Sequence, residues 1–130
     1  ELGSHSLLPR IVGFSNAAQL LLGGEIIDAN TALSMGLVSQ VYPDEDLLDQ
    51  AIALAERLSV AAPVSVAASK RLLWEGLSLS WEEMHNKETP IFNWVAQQPD
   101  SVEGVTAFLE KRTANWSMDP SSDLPKELFD

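Results

Sequence analysis

The sequence predicts a mainly α-helical chain with at most one short strand, and three observations carry that expectation. Apolar residues recur three and four apart, above all at Leu47, Ala51, Leu54, Ala55 and Leu58, which puts them on one stripe of a helix. Helix-opening and helix-closing residues punctuate the chain at Gly23-Gly24, Asp28, Gly36, Pro63 and Ser80. Only Leu37-Val38-Ser39-Gln40-Val41-Tyr42 alternates in the manner of a strand, and Pro43 closes it.

Each element follows in order. Gly3, Ser4 and Ser6 predict an opening loop that leads into Leu7-Leu8-Pro9. Ala17, Ala18, Leu20, Leu21 and Leu22 predict a short apolar helix ended by the glycine pair. Asp28 is placed to cap a short helix over Ala32 and Leu33, because its carboxylate can accept from the free amides of a first turn. A long amphipathic helix is expected from Asp44 to about Val60, and Pro63 suits the first turn of the next, where its missing amide costs nothing. Ser80-Trp81-Glu82-Glu83 has the form of a capping box and predicts a helix toward about Gln97, bent or interrupted near Thr89 by Pro90. Asp100-Ser101-Val102-Glu103 repeats that signature before a helix ending near Arg112. From Thr113 onward the chain is polar and proline-containing, so a mobile or loosely docked tail is expected.

Composition narrows the function classes. The 130 residues contain no cysteine, which excludes disulfides, thiol chemistry and thiolate metal sites. Nineteen acidic against eight basic residues give a net charge of −11, with the cations scattered, so a nucleic-acid partner is not expected. An anionic ligand would have to rely on a few local cations, drawn from Arg10, Lys70, Arg71, Lys111 and Arg112. No apolar run approaches the roughly 20 residues of a membrane helix, and the chain reads as a soluble, cytoplasmic protein without a membrane partner. Trp74, Trp81, Ile91, Phe92, Trp94 and Phe108 offer more apolar surface than short helices cover among themselves, which points to a partner subunit or a further domain. His85 with Glu82 and Glu83 reads as a solvated face, so no metal site is expected. His5 reads as a solvated loop histidine and Arg10 as a structural residue pairing with a carbonyl or carboxylate.

Four stretches in order, ELGSHSLLPRIVG, AAQLLLGGEIIDANTALSMGLVSQVYP, LDQAIALAERLSVAAPVSVAASKRLL and EGVTAFLEKR, resemble the C-terminal half of the crotonase superfamily, the enoyl-CoA hydratases and isomerases. The resemblance covers residues 1 to about 112 and implies the helical half of a crotonase α/β fold. It implies residues 1–43 as the end of the crotonase core, 44–112 as the helical CoA-contact and oligomerisation region, and 113–130 as a polar tail. It further implies a CoA thioester as substrate, no permanently bound cofactor, and a trimer or hexamer, possibly with pairing to an N-terminal half. In that family two backbone amides hold the thioester carbonyl and stabilise the enolate formed when the adjacent carbon loses a proton. Those amides come from the half that precedes the matching segment.

Counted back from Leu8-Pro9-Arg10, Glu1 falls where enoyl-CoA isomerases carry an acidic residue before a small-residue loop. The resemblance therefore implies Glu1 as the acid/base that moves a proton between two carbons, its pKa raised if Leu7 and Leu8 wall it from water. It implies Phe108 and Lys111 as contacts to the adenine and phosphate end of CoA. The expected function is enoyl-CoA isomerisation in the intact protein. Enoyl-CoA hydration, or a truncated helical interaction module without activity, are the alternatives.

Overall fold

The computed structural model describes residues 2–129 and is helical, with no strand among the described residues. Two compact units divide the chain, the first ending at Ala53 and the second beginning at Leu54.

In the first unit, α1 (Ser4–Val12) and α2 (Phe14–Gly23) pack together, burying Val12 and Ala17. The expected opening loop is thus a helix, with Ser4, Ser6 and even Pro9 inside it. Small polar residues lower helix propensity by only tenths of a kcal/mol each, about what packing one apolar face onto a neighbour offsets. The Asn16 side-chain amide donates to the Val12 carbonyl at 3.0 Å and so closes the end of α1 from the start of α2. α2 ends as expected at Gly24, whose positive φ of 63° lets its N–H reach the Leu20 carbonyl at 3.1 Å. Asp28 caps α3 (Ala29–Ser34), accepting from the Thr31 N–H at 2.7 Å, and that bond holds the carboxyl below its usual range.

Residues 37–42 carry no strand. Their β-branched side chains suit an extended backbone, but a ladder needs a neighbouring strand, and the described residues supply none. Next comes α4 (Asp44–Ser59), whose apolar stripe stays largely uncovered: Leu47, Ala51, Ala55 and Leu58 are exposed and Leu54 is half-buried.

In the second unit, α5 (Pro63–Gly76) opens on Pro63 as expected, and α6 (Trp81–Ala96) opens on a reciprocal capping box. The Glu83 N–H donates to the Ser80 hydroxyl at 3.3 Å and the Ser80 N–H to the Glu83 carboxylate at 2.8 Å. Pro90 does not interrupt α6. The residue after it, Ile91, is 2 % exposed and anchors the next turn in the core, which offsets the one ladder bond that proline cannot make. Ala68, Ile91 and Phe129 form that core, with Leu72, Val95, Leu124 and Leu128 packed around it.

α7 (Pro99–Glu110) starts earlier than expected, with Pro99 in its first turn and no side-chain cap. Asp100 is not the cap. It is 5 % exposed and turns back to accept from the Ser117 N–H at 2.8 Å, the Ser117 hydroxyl at 2.9 Å and the Met118 N–H at 3.3 Å. The segment after α7, expected to bury little, is docked: α8 (Pro120–Asp123) touches α5, a 3-10 turn covers Lys126–Leu128, and Phe129 enters the core. Polar composition alone misled here, because two leucines and a phenylalanine among polar residues suffice when a seam between helices receives them.

Candidate functional site

The C-terminal end of α7 carries two of the three residues that the sequence singles out. Phe108 is 82 % exposed and belongs to no core. Lys111 ends the helix in the left-handed conformation, φ 54°, with its N–H bonded to the Ala107 and Phe108 carbonyls. It is the one non-glycine residue with positive φ among the described residues, a conformation that costs an L-residue about 1–2 kcal/mol. Its exposed side chain makes no hydrogen bond or ion pair among the described residues.

The neighbouring cation has the opposite fate. Arg112 grips Glu103 through two bonds, Nη1 to Oε1 at 2.6 Å and Nη2 to Oε2 at 2.9 Å, and its Nε donates to Glu110 at 2.7 Å. The Asn115 N–H also donates to Glu103 Oε1, at 2.6 Å. Arg112 first, and the Asn115 amide second, hold the Glu103 carboxyl down from 4.5 to about 2. The Arg112 guanidinium is shifted up in turn, chiefly by Glu103. Trp116 completes the brace: its indole N–H donates to the Val60 carbonyl at 2.8 Å, and its ring lies so close to Gly104 that a Cβ there would stand 3.3 Å from it. The sequence reading found neither brace. The signal was present in the pairing of Glu103 with Arg112 nine residues on, a spacing no helical turn would make.

The Glu103 clamp has a pH signature. A carboxyl depressed by folding contributes stability above its unfolded pKa, and that contribution is lost as pH falls through the folded one. The stability difference between the unmodified chain and Glu103→Gln is therefore expected to be full above about pH 4.5 and to close toward about pH 2. Thermal unfolding across that range measures it. A difference that stays constant would mean that the clamp does not exist in solution.

Glu1, the expected acid/base, lies outside the described residues. The side chains expected to wall it, Leu7 and Leu8, are exposed and half-buried respectively on α1. Arg10 bonds within its own helix, to the Ser6 carbonyl at 2.6 Å and hydroxyl at 2.8 Å, in keeping with a structural role. His5 is exposed. His85 stacks on Trp81, ring centres 5.3 Å apart and planes 2° from parallel. An apolar groove of about 580 Å³ runs along α5 and α6, floored by Ala68 and Ile91 and edged by His85, Glu88 and Phe92. Neither Phe108 nor Lys111 lines it.

The family model for enoyl-CoA hydratase/isomerase matches residues 1–119. This chain belongs to the enoyl-CoA hydratase/isomerase family. Its similarity to a 2,3-dehydroadipyl-CoA hydratase of Escherichia coli K12 is 34% identity over 114 residues, which is 88% of this chain and 45% of the relative. A crotonyl-CoA hydratase of Syntrophomonas wolfei is 36% identical over 114 residues, covering 88% of this chain and 44% of its own length. A probable enoyl-CoA hydratase/isomerase from Mycobacterium abscessus superposes with a TM-score of 0.85 at 33% identity, over 92% of this chain and 49% of that structure. The chain thus spans less than half the length of these members of the hydratase/isomerase family. Its helices correspond to a helical portion of their crotonase fold, as the fold class read from the sequence requires.

Proposed function

We propose that the protein acts on an acyl-CoA thioester and shifts the double bond of an enoyl-CoA, with Glu1 carrying the proton between the two carbons and Lys111 and Phe108 meeting the CoA end of the substrate. The match to the hydratase/isomerase family over residues 1–119 is the observation that carries the substrate class. Glu1 is the only carboxylate in the first 24 residues, so this stretch offers no other acid/base of its kind. One base suffices for the shift, because the proton leaves and returns on the same face, whereas hydration also requires a group that activates water. The enolate that forms between the two steps requires amide donors aimed at the thioester oxygen.

Lys111 supports the CoA reading on physical grounds. The chain tolerates a strained left-handed lysine where glycine would sit without strain, and its ammonium forms no ion pair among the described residues while Arg112 is neutralised. In a chain of net charge −11, an unneutralised cation beside an exposed aromatic ring fits a phosphate next to an adenine. Exposed Trp74, Trp81, Phe92 and Phe108 further support an assembly of several copies, a trimer or hexamer.

Two measurements test the reading in the full-length protein. Interconversion of 3-enoyl-CoA and 2-enoyl-CoA is expected to be faster than hydration of 2-enoyl-CoA; the reverse ranking transfers the assignment to hydration, the reading that the names of the two hydratase relatives favour. Lys111→Ala is expected to raise KM for acyl-CoA about tenfold with little change in kcat, since the phosphate end is remote from the chemistry. Lys111→Gly should bind as weakly yet unfold at a higher temperature, by about 1 kcal/mol of relieved strain. A KM unchanged in both variants removes Lys111 from the site.

A further inference from the structure

Residues 120–129 lie beyond the family match, yet they complete the core of the second unit. Phe129 is 2 % exposed and touches Ala68 of α5 and Ile91 of α6, while Pro125 is buried and Leu124 and Leu128 pack alongside. The Arg71 guanidinium lies 4.7 Å from the centre of the Phe129 ring, and the same side chain donates to the Phe129 carbonyl at 2.8 Å. Lys87 Nζ donates to that carbonyl too, at 3.3 Å, from the other helix. Glu75 joins the two cations, 3.0 Å from Arg71 Nε and 2.8 Å from Lys87 Nζ. Every receptor residue belongs to α5 or α6, inside the family match, and every ligand residue lies outside it.

We propose that this side of the α5–α6 pair is a peptide-binding site, filled in this chain by its own residues 124–129, which selects an aromatic side chain whose backbone carbonyl two cations share. Three features distinguish the site from ordinary packing. The anchor ring is gripped on its face by a cation and not only by apolar neighbours. One carbonyl receives two charge-assisted bonds from different helices, which fixes the register of the peptide. Glu75 orients both donors, so the pair of cations is set before a peptide arrives. The segment reaches the site through α8, whose start Asp119 caps by accepting from the Ser121 N–H at 2.7 Å.

A fluorescently labelled peptide of residues 120–130 tests the proposal on the whole chain. It is expected to bind the Phe129→Ala chain saturably and about tenfold or more tighter than the unmodified chain, whose site is already occupied. The same peptide with its phenylalanine changed to alanine should not bind, and adding Lys87→Met to the receptor should weaken binding. No saturable binding to a folded Phe129→Ala chain, or equal binding to both chains, overturns the proposal. Should Phe129→Ala fail to fold, Phe129→Leu replaces it, keeping apolar volume while removing the ring face. Independently of both, release of the C-terminal residues by a carboxypeptidase should be about tenfold faster in Lys87→Met than in Lys70→Met; equal rates overturn the proposal. Exchange of the segment between two copies would appear as a concentration-dependent dimer that the free peptide dissociates, and it supports the same site. None of these readouts depends on acyl-CoA chemistry, so they stand or fall apart from the isomerase assignment.

Discussion

Glu1→Gln in the full-length protein is expected to slow interconversion of 3-enoyl-CoA and 2-enoyl-CoA by about 10²–10⁴-fold, the usual contribution of a positioned acid/base. The amide keeps the size and polarity of the side chain but cannot accept the proton, so the step that forms the enolate loses its base. Binding of the substrate should change little, because on the proposed reading the thioester carbonyl and the CoA end are held by groups other than this carboxylate. Turnover and equilibrium binding of a non-reactive acyl-CoA, measured together, separate the two effects. A variant that isomerises at the unmodified rate ends the assignment of Glu1, whatever its affinity.

Asp100→Ala carries the largest expected loss of stability, about 2–4 kcal/mol. The buried carboxylate accepts three hydrogen bonds, from the Ser117 N–H, the Ser117 hydroxyl and the Met118 N–H. Removing it takes away the protein acceptor of two backbone amides, on exposed Ser117 and half-buried Met118, and the expected cost is that of losing three hydrogen bonds to a buried charged group. Asp100→Asn should be milder, since the amide keeps one acceptor oxygen. It still turns an NH₂ toward groups that are themselves donors. Urea unfolding distinguishes the three chains. If Asp100→Ala lies within about 0.5 kcal/mol of the unmodified chain, the 117–118 segment is not held as the structure describes.

What the sequence made legible depended on how local each determinant was. The box at Ser80 and Glu83, the cap at Asp28 and the left-handed exit at Gly24 are satisfied within a few residues, so their patterns could be read directly. Residues whose roles depend on distant partners could not be read that way. Asp100 looked like a cap because its spacing to Glu103 is that of a capping box, but the helix starts two residues earlier, at Pro99, and both carboxylates are free for the segment 113–118. Phe129 looked like part of a mobile or loosely docked tail because its partners Arg71 and Lys87 stand 58 and 42 residues away. Residues 37–42, expected as one short strand or an extended segment, form no strand for the same reason, since pairing is a property of two segments and only one was in view. Among the site residues, α7 brings Phe108 and Lys111 to one helix end, a placement that an amphipathic pattern alone could not assign to a face.

The contrast between Lys111 and Arg112 also bears on the kinetics of ligand capture. With a net charge of −11, the chain repels a polyphosphate during diffusion, and an ammonium such as that of Lys111 attracts it only nearby, within a screening length of about 8 Å at physiological salt. On the proposed reading, an anion that meets Lys111 at the end of α7 would be retained after contact rather than guided toward it. Added salt, which weakens the short-range attraction and the long-range repulsion together, would leave the arrival rate level or raised while shortening the bound lifetime.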